Sequence, residues 1–82
     1  NIEGINTSFV LYPDNKGQVI LSARSLNETN VQVIVEALGG GGNGSAAGAQ
    51  ITGKTVDEVY RLLMAAIDNY FAGQDEDGTE EK

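Results

Sequence analysis

Residues 30–52, NVQVIVEALGGGGNGSAAGAQIT, decide how this chain folds. The first nine of them read two ways. VQVIV alternates as a strand does, yet Val31, Ile34, Val35 and Leu38 fall at i, i+3, i+4 and i+7, the spacing of one helical face. Thr29 or Asn30 offers a cap at the start, and Gly39 can take the left-handed conformation after the end. A short helix over residues 30–38 is therefore expected. Residues 46–52 (AAGAQIT) read as a strand of small residues. Between the two stand four consecutive glycines, and seven of the chain's eleven lie from Gly39 to Gly53. Gly39 is accounted for by the helix end; Gly40, Gly41 and Gly42 are not. A linker, a tight structural loop and an anion cradle would each use such a run, because glycine permits positive φ and leaves successive N–H groups unobstructed. Short connections between ordered elements are usually tight, which disfavours the linker. The spacing matches neither the phosphate loop nor the dinucleotide fingerprint, and both of those follow a strand.

Outward from this stretch the pattern is that of a small α/β unit. Residues 5–12 (INTSFVLY) and 18–25 (QVILSARS) are short and rich in β-branched and aromatic side chains, as strands are. Pro13, Asp14, Asn15, Lys16 and Gly17 supply turn chemistry between them, so a hairpin is expected. Thr55 opens the clearest element, with Glu58 three residues on completing a capping box. Val56, Val59, Tyr60, Leu63, Ile67, Tyr70 and Phe71 then form one wide apolar stripe, and this helix is expected to supply most of the core. The expected order is β-β-α-β-α: a small mixed sheet of about three strands with two helices over residues 1–72.

Composition removes whole classes of function. The 82 residues include no cysteine and no histidine, so disulfides, thiol nucleophiles, imidazole bases and zinc sites built on either ligand are excluded. No apolar run approaches the roughly 20 residues that span a membrane, so the fragment is expected to be soluble. A net charge of −7 argues against general nucleic-acid binding, which needs a basic face. Residues 73–82 (GQDEDGTEEK) carry five acids and one lysine, so they contribute −4 and the rest of the chain −3. That segment has no apolar residue and reads as a solvated, disordered tail.

The motif GGGGNGSAAGAQITG, preceded by NVQVIVEAL and by SFVLY and VILSARS, resembles the C-terminal DHH-associated domain of DHH-family phosphoesterases. That domain carries three glycines and a histidine, followed shortly by an Ala-Ala-Gly segment. The fourth glycine and the helix beginning TVDEVYRLL look most like the cyclic-di-AMP phosphodiesterases of the GdpP type. The resemblance covers about residues 2–71, and the opening NIEGI looks like the end of a preceding helix. The chain is thus expected to be only the last part of that domain. By this resemblance Gly40, Gly41 and Gly42 approach the nucleotide phosphate, Asn43 stands where the family has its histidine, and Arg24 falls where an arginine lies near the substrate. The resemblance implies a cyclic dinucleotide or short oligonucleotide as ligand, a metal-binding Asp-His-His lobe as partner, and room for a homodimer. It also implies Mn²⁺ in the parent enzyme, with none expected here, and a membrane-anchored parent with this domain cytoplasmic.

Two departures bear on function. Nothing in these residues replaces the Asp-His-His lobe, since the acids outside the tail are scattered and two-metal hydrolysis needs converging ligands. Asn43 offers an amide donor but no positive charge and no imidazole. The resemblance favours the substrate-holding portion of a phosphodiesterase acting on cyclic di-AMP, with an oligonucleotide phosphoesterase domain or a non-catalytic nucleotide-binding module as alternatives. Arg24 shares a strand face with Ile20 and Ser22, where a solvated arginine is the commoner case from the residues alone. With the resemblance, a guanidinium on a phosphate is the expected role. The small residues from Ala46 to Ala49 let another element pack closely, and Tyr60, Tyr70 and Phe71 are expected in the core rather than stacked on a base.

Overall fold

A hairpin begins the fold. β1 (Thr7–Pro13) and β2 (Gln18–Ser25) pair antiparallel, from Thr7 opposite Ser25 to Pro13 opposite Val19. Asp14 closes the turn, its carboxylate accepting from the N–H groups of Lys16 at 2.8 Å and Gln18 at 2.9 Å, the side-chain mimicry that suits aspartate to turns. The computed structural model describes residues 6–80, with the side chains of residues 6–73.

The ambiguous segment is helical. α1 spans Val31–Glu36, and Asn30 caps it by accepting from the N–H groups of Gln32 and Val33. At the other end Gly39 has φ +90°, while Gly40 N donates to Val35 O at 3.1 Å and Gly39 N to Glu36 O at 3.0 Å. That pair of bonds is a Schellman closure, which satisfies carbonyls the helix end leaves open. The helical period then buries Val31, Ile34 and Val35 and leaves Val33 49% exposed. A strand would have put Val31, Val33 and Val35 on one face.

The glycines that follow form β3 (Gly41–Gly42), which pairs with β4 (Ala46–Thr52). The sheet runs β1-β2-β4-β3, with every pairing antiparallel. The expected order of elements holds, with one two-residue strand added. α2 spans Val56–Glu80. Its capping box is formed as the sequence requires: Thr55 N donates to Glu58 Oε1 at 2.8 Å and Glu58 N to Thr55 Oγ1 at 3.0 Å.

Leu21 and Ala23 of β2, Ala49 of β4, Val31, Ile34 and Val35 of α1, and Leu63 and Ala66 of α2 make one cluster. Ser22 and Arg24, which point to the other side of β2, are exposed. Both helices therefore cover the same face of the sheet. α2 does not supply most of this core. It gives Val59, Leu63 and Ala66, no more than α1 or β2 gives. Its apolar stripe is wider than the contact it makes: Tyr60 is 51% and Phe71 46% exposed, because they lie about a quarter-turn from the buried row. Tyr70 is half-buried, and its hydroxyl accepts from Asn30 N at 2.9 Å, pinning α2 to the start of α1. α2 also continues past Phe71, where the sequence suggested an end. The expected acidic tail at residues 73–82 falls almost wholly on residues whose side chains lie outside those described.

Leu63→Ala is expected to lower the unfolding free energy by about 2–5 kcal/mol. Tyr60→Ala should change it by no more than about 0.5 kcal/mol. Urea titrations of both variants check the assignment, and equal losses would mean that the buried row of α2 is misplaced.

Candidate functional site

The sheet face that the helices leave bare is organised in three rows across the strands. Strand register aligns Tyr12, Ile20 and Gln50 in the first row, and Val10, Ser22, Gly48 and Gly41 in the second. The third aligns Ser8, Arg24 and Ala46, and Asn43 closes its end through a hydrogen bond from its N–H to Ala46 O at 2.8 Å. A shallow groove of about 650 Å³ crosses the first two rows, lined among others by Tyr12, Ile20, Ser22, Gly41, Gly48 and Gln50. Its floor is low because, beyond Val10, the middle row runs through a serine and two glycines. Arg24 is the one charged side chain in these rows. An acidic protein has here a face with a single cation and no acid.

The structure gives the four glycines distinct positions. A Cβ on Gly40 would overlap Gly48 O and stand 2.6 Å from both Ala49 Cβ and Val35 Cγ1. At this point α1 and the loop press bare backbone against β4, and no other residue fits. Gly42 has φ +148°, and a Cβ there would overlap Ala46 O and meet Ala47 Cβ at 2.9 Å. Gly41 differs: a Cβ would meet nothing within 4 Å, and the position faces the groove.

The loop's donors do not converge as an anion cradle would require. Gly40 N donates to Val35 O and Asn43 N to Ala46 O. Because the Asn43 N–H points across to Ala46 O, the alternation of an antiparallel ladder makes Gly41 and Gly48 a hydrogen-bonded pair. The same alternation turns the N–H of Gly42 outward at the sheet edge. Residues 40–43 are an edge strand and its turn, with one donor left over.

Asn43 is committed to that turn. Its Oδ1 accepts from Ser45 N at 2.9 Å, Ser45 Oγ at 3.0 Å and Ala46 N at 2.9 Å. The turn is tied in further, since Val31 N donates to Gly44 O at 3.1 Å and Ser25 N to Ser45 O at 2.9 Å. Arg24 lies one strand beyond Ala46 from Asn43, about 10 Å across at ordinary strand spacing. The structure therefore sets Arg24, Gly41 and Asn43 on one surface, while Gly40 and Gly42 hold the backbone beneath it. Sequence reasoning missed Tyr12, Ser22 and Gln50. Alternation within each strand would have shown which residues share a side, but not which strands lie next to each other.

Among the described residues no three acidic side chains gather in a way that could hold a metal ion. No helix among them is long and apolar enough to cross a membrane.

A small antiparallel sheet with helices on one face and a glycine-built edge against an Ala-Ala-Gly strand is a recognisable class of domain. The chain belongs to the DHHA1 domain family, whose model matches residues 1–73. It is 47% identical over 72 residues to the cyclic-di-AMP phosphodiesterase GdpP of Geobacillus thermodenitrificans, an alignment covering 88% of this chain and 11% of that protein. It is 43% identical over 74 residues to the cyclic-di-AMP phosphodiesterase PdeA of Listeria monocytogenes, covering 90% and 11% respectively. The chain thus spans about a tenth of the length of these curated relatives. Among solved structures, a pGpG-specific phosphodiesterase, PggH from Vibrio, shares the fold with a TM-score of 0.59 and 21% identity, over 77% of this chain and 24% of that one.

Gly40→Ala is expected to destabilise the domain by about 1–3 kcal/mol through overpacking, whereas Gly41→Ala should stay within about 0.5 kcal/mol. Asn43→Ala should cost about 1–2 kcal/mol through the lost turn bonds, and Asn43→Asp, which keeps the acceptor, far less. Thermal or urea unfolding of the four variants reads the difference. A Gly40→Ala variant as stable as Gly41→Ala would show that the close contact with β4 is not made.

Proposed function

We propose that this chain is the substrate-holding portion of a DHH-type phosphodiesterase acting on cyclic di-AMP, with the nucleotide laid along the groove and a phosphate against Arg24. The observation that carries the reading is the bare, glycine-floored face with one cation, in a chain 43–47% identical to parts of cyclic-di-AMP phosphodiesterases. A guanidinium presents a planar fork of donors that matches phosphate oxygens. The outward N–H of Gly42 adds one donor at the sheet edge, and Gly41 and Gly48 let the ligand lie close to the backbone. The contribution of these residues is positional: they orient the phosphodiester and hold it still, which lowers the entropic part of a barrier crossed elsewhere. The metal ions of such a reaction, Mn²⁺ by the resemblance, would be held by an Asp-His-His lobe supplied by other residues than these. In the whole protein the domain would face the cytoplasm from a membrane-anchored parent.

One observation favours a second reading, a nucleotide-binding module without turnover. The position at which the family has a histidine holds an asparagine whose oxygen is taken up by the β3–β4 turn. Such a side chain stabilises the loop and brings no charge to a ligand. An oligonucleotide with a terminal phosphate would meet the same Arg24 and the same groove, so a short oligonucleotide is the substrate to set against cyclic di-AMP.

Titration of the chain with cyclic di-AMP, followed by backbone amide shifts, is expected to move Ser22, Arg24, Gly41 and Gly48. Arg24→Gln should weaken binding about fivefold, the scale of an exposed charge contact. With Mn²⁺ added, the nucleotide should remain intact. Shifts confined to the helical face would sink the groove reading, and sustained hydrolysis after repurification would sink the assignment to a holding role.

A further inference from the structure

The first row of the open face is not explained by a phosphate. Tyr12, Ile20 and Gln50 stand side by side on β1, β2 and β4, and all three line the groove. Their chemistry differs from that of the other rows: a phenol ring 48% exposed, a branched aliphatic chain and an exposed amide. A flat heterocycle uses such a set, because it stacks on aromatic and aliphatic surface and is read along its edge by hydrogen bonds. The spacing agrees. Successive rows are two strand residues apart, so roughly 13 Å separate the Tyr12 row from the Arg24 row. Between them the middle row carries Val10 and the short Ser22 side chain, and Gly48 and Gly41 beside them raise none. A nucleotide lying along the strands would then put its base at one end, its sugar over the glycines and its phosphate within reach of the extended arginine.

Building on the function proposed above, we propose that Tyr12, Ile20 and Gln50 form the base subsite of the groove, with Gln50 selecting adenine over guanine. An amide carries one acceptor and a pair of donor hydrogens. It matches the N6–H and N7 edge of adenine with two hydrogen bonds, whereas the corresponding edge of guanine presents two acceptors, O6 and N7. Tyr12 and Ile20 supply the surface for either purine; Gln50 supplies the choice.

The test compares AMP, GMP and ribose 5-phosphate on this chain by backbone amide shifts and fitted affinities. All three ligands should move Ser22, Arg24 and Gly41, while the two nucleotides alone move Tyr12, Ile20 and Gln50. AMP should bind about fivefold more tightly than GMP, the low end expected of an exposed bidentate contact. Gln50→Ala should erase that preference without changing the affinity for ribose 5-phosphate, and Tyr12→Ala should weaken both nucleotides alike. The amide spectrum of each variant reports whether it remains folded. If ribose 5-phosphate matches AMP in affinity and in shift pattern, there is no base subsite. If AMP remains preferred in Gln50→Ala, the amide does not make the choice. If none of the three ligands moves Arg24 or Gly41, the phosphate reading of the groove fails, and the base subsite fails with it.

Discussion

Bare backbone pressed against bare backbone is the constraint on which this fold depends. Gly40 and Gly42 lie so close to β4 that a single methyl group on either would overlap main-chain oxygen. That approach allows α1 to end, reverse and deliver a strand to the sheet edge within a few residues. It also places β4 between β2 and β3, and so decides which residues of β2 and β4 face each other. Ala46, Ala47 and Gly48 belong to the same constraint from the other side. Their smallness leaves room for the glycines above the core face and leaves the opposite face shallow.

With both helices on one side, the sheet acquires two unlike surfaces. One carries the core from Leu21 through Leu63. The other keeps small and polar residues in rows, with Arg24 as its cation. Among residues 6–73, whose side chains are described, the acids lie in the hairpin turn (Asp14), the loop before α1 (Glu28) and the helices (Glu36, Asp57, Glu58, Asp68). At physiological ionic strength fields are damped within about 8 Å. An anion on the open face would therefore meet mainly its immediate neighbours, and the net charge of −7 is a poor guide to what this surface accepts.

Asn43 ties the structural and functional questions together. Its side chain organises the turn that holds β3 to β4, and that turn is bonded in addition to the start of α1 and the end of β2. An exchange at this position would change two things together, the chemistry offered to a ligand and the order of the loop that offers it. The same economy of residues shows at Tyr70, a helix aromatic whose hydroxyl satisfies the N–H of the Asn30 cap across the core.

Local chemistry was enough for most of the elements. A cap at Thr29 or Asn30 and a stop at Gly39 favoured α1 over a competing strand pattern, Thr55 and Glu58 started α2, and the turn residues Pro13 to Gly17 marked the hairpin, because each interaction spans only a few residues and needs no distant partner. Alternation along β2 likewise separated Val19, Leu21 and Ala23 from Ile20, Ser22 and Arg24. Other features depended on neighbours far apart in the chain. The apolar stripe of α2 could not show that Tyr60 and Phe71 are exposed, since that depends on how much of the helix the sheet and α1 can cover. Nor could the glycine run show whether its donors were free, because their partners lie on β4 and α1. The groove itself required the order β1-β2-β4-β3, which brings Tyr12 into line with Gln50 across 38 positions of sequence. Short-range hydrogen bonding and periodicity are written in consecutive residues, but strand order and the surface it creates exist only once the chain has packed.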